Sequence, residues 1–129
     1  MARAKTIVLA DADHESAKSV ERLLDNEGYR VFVTHDGDEA LARVRELNAD
    51  ILVLEIQLPR LNGYQVCRAL KADAATRHVG VLVLSAKSQP SDRFWAKRVG
   101  ADAFIAKPFD PADLVREIHA LLQRAAADV

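Results

Sequence analysis

Two hydrophobic patterns alternate along the chain. Short, nearly continuous apolar runs, rich in Val, Ile and Leu, occupy Thr6–Ala10, Val31–Thr34, Ile51–Leu54, Val79–Leu84 and Ala103–Ala106. A run that is apolar at almost every position predicts a strand buried on both faces, as in a parallel sheet. Between these runs the apolar positions recur at helical spacing. Ala17, Val20 and Leu24 form a first stripe, with Gly28 as its stop. Ala40, Leu41, Val44 and Leu47 form a second, with Asp38 as its N-cap. Val66, Cys67 and Leu70 follow Asn62 and Gly63 as a third, and Phe94, Trp95, Ala96 and Val99 make a fourth that ends at Gly100. Leu114, Ile118, Leu121 and Leu122 form the fifth, with Asp110 placed to cap and Pro111 in the first turn.

Five strands alternating with five helices predict an α/β fold. Right-handed crossovers place the helices on both faces of one parallel sheet. Sites in such folds lie at the carboxyl ends of the strands, where the strand order reverses. Those ends carry Asp11-Ala12-Asp13, Glu55, Ser85-Ala86 and Lys107-Pro108-Phe109. Two acids, a hydroxyl and an ammonium on one rim suit phosphoryl handling. A carboxylate attacks phosphorus, a divalent cation neutralises the phosphoryl oxygens, and hydroxyl and lysine hold the rest. A plainer account makes each residue a cap for the next helix. It covers any one of them, but not four strand ends in this order.

Composition narrows the picture. The 129 residues fit one domain, 1–129, with a core over about 5–123, and half of them are apolar. Either it acts alone or it is one part of something longer. The net charge of −1 lacks the basic excess of a general nucleic-acid binder. The single cysteine, Cys67, has no internal partner, which suits a reducing compartment. No apolar run approaches the roughly 20 residues that span a bilayer. The stretch after Met1–Lys5 is too short for a secretory signal and is interrupted at Asp11. The expected compartment is cytoplasmic, with no membrane and no nucleic-acid partner.

The segment from Asp50 through Glu55 and Pro59 to Gly63 resembles the phosphorylation loop of response-regulator receiver domains, the CheY-like modules of two-component phosphorelays. Ser85-Ala86 resembles that family's Thr/Ser-Ala pair, and Lys107-Pro108-Phe109 its Lys-Pro-Phe with a cis peptide before proline. The likeness runs from about Lys5 to Gln123. It implies a flavodoxin-like, doubly wound (βα)5 fold with strand order 2-1-3-4-5. It places the phosphoryl acceptor at Glu55, with Ser85 and Lys107 as its partners, and a magnesium site on Asp11 and the backbone of Gln57. It also implies an output surface on the fourth helix, fifth strand and fifth helix, with Phe104 at the aromatic switch position.

Two residues depart from that pattern. The family's second strand-end acid, a magnesium ligand, is here Ala12, which cannot ligate; Asp13, one residue on, reads as the N-cap of the first helix. The acceptor aspartate is replaced by Glu55, whose carboxylate sits about 1.5 Å further out. Attack and octahedral coordination are both sensitive to such a displacement. The metal site is expected to be weak or absent, so the only cofactor entertained is weakly held Mg2+. The longer Glu55 is expected to reach Lys107 and partly imitate an acyl phosphate.

The leading expectation is a pseudo-receiver: a protein-interaction module, not an enzyme, that signals without aspartyl phosphorylation. Its partners would be a histidine kinase or a downstream effector, and a second copy across the fourth helix–fifth strand–fifth helix face. A rival is a working receiver that accepts a phosphoryl group from a histidine kinase as an unusual glutamyl phosphate. A third reading makes Glu55 a laboratory mimic, against which Ala12 argues, because a mimic needs one change only. A flavodoxin-like cofactor binder shares the architecture, but Asp11–Glu15 is acidic and glycine-free where a phosphate cradle is needed.

Neighbouring helical residues point about 100° apart, so Phe94 and Trp95 cannot both be buried against one sheet. One of them is expected at a partner surface. Phe104 lacks a hydroxyl and is expected to pack inward. His14 reads as a first-turn helix residue, and His35, His78 and His119 fall on separate elements without metal-binding spacing. Cys67 sits on a core stripe.

Overall fold

The apolar runs become strands because nothing polar interrupts them and both of their faces find cover. In the computed structural model, which describes residues 4–127, they form β1 (Thr6–Ala10), β2 (Arg30–Thr34), β3 (Ile51–Leu54), β4 (Gly80–Ser85) and β5 (Ala103–Ala106). All pair in parallel in one sheet, in the order β2-β1-β3-β4-β5. β1, β3 and β5 have the expected bounds. β2 starts one residue earlier, and β4 runs one residue later than expected, ending on Ser85 itself. Val79 is buried but lies outside the ladder, because its N–H bonds Thr76 in the preceding turn. The ends of the expected domain, Met1–Arg3 and Asp128–Val129, lie outside the described residues.

The helices are α1 (His14–Asn26), α2 (Gly37–Leu47), α3 (Gly63–Ala72), α4 (Pro90–Arg98) and α5 (Pro111–Ala127). Asp13 caps α1, accepting from the N–H groups of Glu15 and Ser16. Gly28 follows at φ +93°, a backbone state that glycine reaches without a Cβ clash. The cap of α2 corrects the sequence reading: it is Asp36, not Asp38. Asp36 has extended backbone and accepts from Glu39 N at 2.8 Å, while Asp38 lies two residues on, within the first turn, where its charge suits the helix N-terminus. Asn62 and Gln65 close a reciprocal capping box on α3. Asp110 accepts from Ala112 N at the start of α5.

Alternation along each strand divides the core into two layers. Val8, Ala10, Leu52, Leu54 and Val81 pack with α2 and α3, and Val83 with Ala96 of α4. Ile7, Leu9, Ile51, Val53, Leu82 and Leu84 pack with α1 and α5 through Val20, Leu24, Leu114 and Ile118. Each such fully buried aliphatic side chain contributes about 1.5–3 kcal/mol. Among the described residues, no helix is long and apolar enough to cross a membrane.

The strand order sets the site. β1 lies between β2 and β3, so the chain passes from it first to one side and then to the other, and a crevice opens between the carboxyl ends of β1 and β3. Ala10 is level with Leu54, which puts Asp11 and Glu55 side by side, and Ser85 is level with Ala106, which puts Lys107 next to them.

Candidate functional site

Backbone hydrogen bonds extend the sheet one residue past its strands and fix where the side chains leave it. Asp11 N bonds Thr34 O, Glu55 N bonds Ala10 O, and Lys107 N bonds Ser85 O, at 3.1, 3.0 and 2.9 Å. The Lys107–Pro108 peptide is cis, as the resemblance implied. Asp11, Glu55 and Ser85 are buried.

Lys107 is the centre of the cluster. Its Nζ lies 2.7 Å from Asp11 Oδ2 and 3.3 Å from Glu55 Oε2. Glu55 therefore reaches the lysine directly, as its extra methylene allows. Its other oxygen, Oε1, accepts the hydroxyl of Ser85 and the N–H of Ile56, the latter at 2.7 Å. Oε2 also accepts from Ala86 N at 3.4 Å, and Ser85 Oγ accepts from Lys87 N at 3.0 Å. Asp11 Oδ1 accepts from Asp13 N at 3.0 Å. Among the described residues, no buried side-chain polar atom lacks a partner. The cluster is thus a closed network with charge-assisted bonds at its centre.

Gly63, at the start of α3, lets the network close. A Cβ there would stand 2.6 Å from Glu55 O and 2.8 Å from Ile56 Cα, and both are backbone atoms. Only glycine allows α3 to approach the β3 terminus this closely.

The donor set does not fit a divalent cation. Each carboxylate oxygen of Asp11 and Glu55 already accepts from an N–H, a hydroxyl or an ammonium. The Lys107 charge lies within 3.3 Å of both carboxylates, where a cation would be repelled. Ala12 supplies no oxygen from its side chain; Gln57, whose backbone was the other expected ligand, lies in the loop after β3. Magnesium prefers near-octahedral oxygen donors, with carboxylates free to ligate. No group of three or more His, Cys, Asp or Glu among the described residues could hold a metal.

Sequence reading missed two parts of this rim. Ser16 Oγ accepts from Lys107 Nζ at 2.8 Å, a third tether on the lysine. The signal was its position three residues after the Asp13 cap, where the first turn of α1 comes round to face the strand ends. The histidines also meet. His14 is in the first turn of α1 as expected, but its ring stacks on His35, with centroids 3.8 Å apart and planes at 16°. His35 donates from Nδ1 to Asp11 O at 2.9 Å. Residues on separate elements met because the β1–α1 and β2–α2 loops share one end of the sheet.

Phe104 is half-buried against Ile56, Val83 and Ala96, and the guanidinium of Arg93 covers its outer face at 4.6 Å. Trp95 and Phe94 are 50% and 58% exposed, in edge-to-face contact. Cys67 is buried and its thiol is pushed up to about 11, first by burial, with the Lys71 charge opposing and that of Asp102 reinforcing the shift.

Comparison with known proteins identifies the family to which this fold belongs. The family model described as the response regulator receiver domain matches residues 7–119. The chain belongs to this family. It is therefore a receiver domain of two-component signalling, a class of module that works with histidine kinases and downstream effectors. The response regulator GtcR of Aneurinibacillus migulanus is 36% identical over 121 residues, 94% of this chain and 49% of that one. The DNA-binding response regulator MtrA of Mycobacterium tuberculosis is 39% identical over 118 residues, 92% of this chain and 50% of that one. This receiver thus spans about half the length of those relatives. Among solved structures, it superposes at a TM-score of 0.87 and 27% identity on the receiver domain of a sensor histidine kinase from Pseudomonas aeruginosa, covering 94% of this chain and 99% of that one. That structure carries a magnesium ion in its active-site cleft.

Proposed function

We propose that this receiver acts as a protein-interaction module independent of aspartyl phosphorylation, with its pocket held in one arrangement by Glu55. The observation that carries this reading is the engagement of both Glu55 oxygens. One is held by Ser85 and Ile56 N–H, the other by Lys107 and Ala86 N–H. In an acceptor, the hydroxyl and the lysine would hold incoming phosphoryl oxygens. Here they hold the carboxylate itself. A nucleophile needs a lone pair aimed at phosphorus at near-attack distance, and here those lone pairs are committed. The poor fit of the donor set to magnesium supports the same reading. Kinase and effector recognition would then depend on the folded surface rather than on a phosphoryl signal.

The test is to incubate the protein with a small acyl-phosphate donor, with and without magnesium, and to measure intact mass. The expected result is no change. An acid-stable, base-labile gain of one phosphoryl group on Glu55 would overturn the reading. It would support the rival, a working receiver that accepts its phosphoryl group from a histidine kinase as glutamyl phosphate. Retention of Ser85 and Lys107 beside Glu55 is the observation on the rival's side.

A further inference from the structure

The strongest feature outside the Glu55 pocket is a groove between α3 and α4. Trp95 and Val99 line it from α4, and Tyr64, Gln65 and Arg68 from α3. It lies on the edge of α4 away from β5, since Arg93 and Lys97 occupy the opposite edge beside Phe104. Its volume is about 170 Å³. That is on the order of the cavity, about 150 Å³, that accepts a benzene-sized apolar group.

Three observations specify an occupant. First, half of the Trp95 ring and more than half of Phe94 face solvent as an edge-to-face pair. Aromatic side chains left exposed in contact are enriched at protein interfaces, where they anchor a partner. Second, the charge around them has one sign. Arg68 is the charged residue of the lining, and α3 and α4 carry one acid, Asp92, against Arg68, Lys71, Arg93, Lys97 and Arg98, of which Arg93 and Lys97 lie on the edge of α4 beside Phe104. Third, that acid is not available to an incoming cation. Asp92 is buried, pairs with Lys87 and accepts from Tyr64 and Gln89 N. Lys71 is paired with Asp102, whereas Arg68, Arg93, Lys97 and Arg98 take part in no ion pair among the described residues.

We infer that the α3–α4 groove docks an acidic peptide segment of a partner protein, with one apolar side chain of that segment seated beside Trp95 and a carboxylate facing Arg68. Bidentate arginine–carboxylate pairs at the rim of an aromatic anchor site give both orientation and affinity. The inference goes beyond the phosphorylation reading and does not depend on it. No hydrogen bond among the described residues joins the groove lining to Glu55, so either idea can fail alone.

Trp95 is the only tryptophan, so its fluorescence reports the groove directly. The probe is a tryptophan-free, glutamate-rich peptide of about 12 residues with a central leucine pair, about three turns of amphipathic helix. The expected result is a saturable change in Trp95 emission that weakens with salt. Affinity should fall at least tenfold in Arg68→Glu, and again when every glutamate of the peptide is replaced by glutamine. Trp95→Ala, followed by anisotropy of a labelled peptide, should fall as far; both substituted residues are exposed, and circular dichroism checks their fold. Equal binding of the glutamine peptide, or no binding at all, overturns the inference. So does a sedimenting dimer that Trp95→Ala disperses, which would make a second copy the occupant. Tighter binding of a single-stranded oligonucleotide than of the peptide also overturns it.

Discussion

Replacing Glu55 by glutamine keeps the shape of the side chain and removes its charge. Oε1 can remain a carbonyl oxygen and keep the bonds from Ser85 and Ile56 N. The other position becomes an NH2 group facing Lys107 at 3.3 Å and Ala86 N–H at 3.4 Å, so donors then face donors. The direct attraction lost is about 5 kcal/mol for unit charges at 3.3 Å with an effective dielectric of 20. Two effects reduce it: the variant no longer has to desolvate a carboxylate, and the repulsion between Glu55 and Asp11 disappears. Lys107 also keeps Asp11 at 2.7 Å and Ser16 at 2.8 Å. The net loss should be about 1–3 kcal/mol, the usual range for leaving a buried polar partner unsatisfied. With a urea slope of about 2 kcal/mol/M, the middle of the usual range for small domains, the denaturation midpoint should fall by roughly 0.5–1.5 M. Lys107→Met is the companion measurement. It strands two buried carboxylates together and should cost more, about 3–5 kcal/mol. A Glu55→Gln midpoint at or above the parent value would refute the reasoning. Acid–acid crowding would then dominate, and Asp11 alone would satisfy the lysine.

Gly63→Ala should destabilise by about 1–3 kcal/mol, because its Cβ meets backbone that cannot move aside, and it should perturb the NMR signals of Ser85 and Ala86 as Glu55 shifts; unchanged stability would show that α3 can slide. The Cys67 thiol, raised from 9.0 to about 11, should react with a thiol reagent near pH 8 about 100-fold more slowly in the folded than in the unfolded chain. Since folding raises this pKa, the stability held by the neutral thiol is complete below pH 9 and is lost between about 9 and 11. A Cys67→Ala variant should lack that alkaline loss; equal reactivity in both states would contradict the burial argument.

The elements were legible because each carries its own period. β1, β3 and β5 are apolar at consecutive positions, and the helical stripes of α1 and α5 need only Leu, Val and Ile at every third or fourth residue. The cap of α2 was less legible because Asp36 and Asp38 are equally competent chemically. The choice fell to backbone conformation, extended at Asp36, which the alternation of residue types does not encode. The site was half legible. Asp11, Glu55, Ser85 and Lys107 could be listed from strand ends, since a parallel sheet brings those ends to one rim. Ser16 was missed, because a serine in a first helical turn is usually only a helix residue, although its place three residues after the Asp13 cap turns it toward the strand ends.

The sequence by itself determined the fold, the strand order through its family likeness, and the identities of the rim residues, including the two departures at Ala12 and Glu55. Those follow from local periodicity and residue type. Only the tertiary structure decided what the departures do. The extra methylene of Glu55 could have pointed at solvent, at a cation or at Lys107; the packing of Gly63 under the β3 terminus and the hydroxyl of Ser85 direct it to the lysine. It also decided that α4 turns both aromatic rings outward, with Trp95 in the same groove as the unpaired Arg68. Both outcomes depend on contacts between elements far apart in the chain, and residue order alone does not measure such distances.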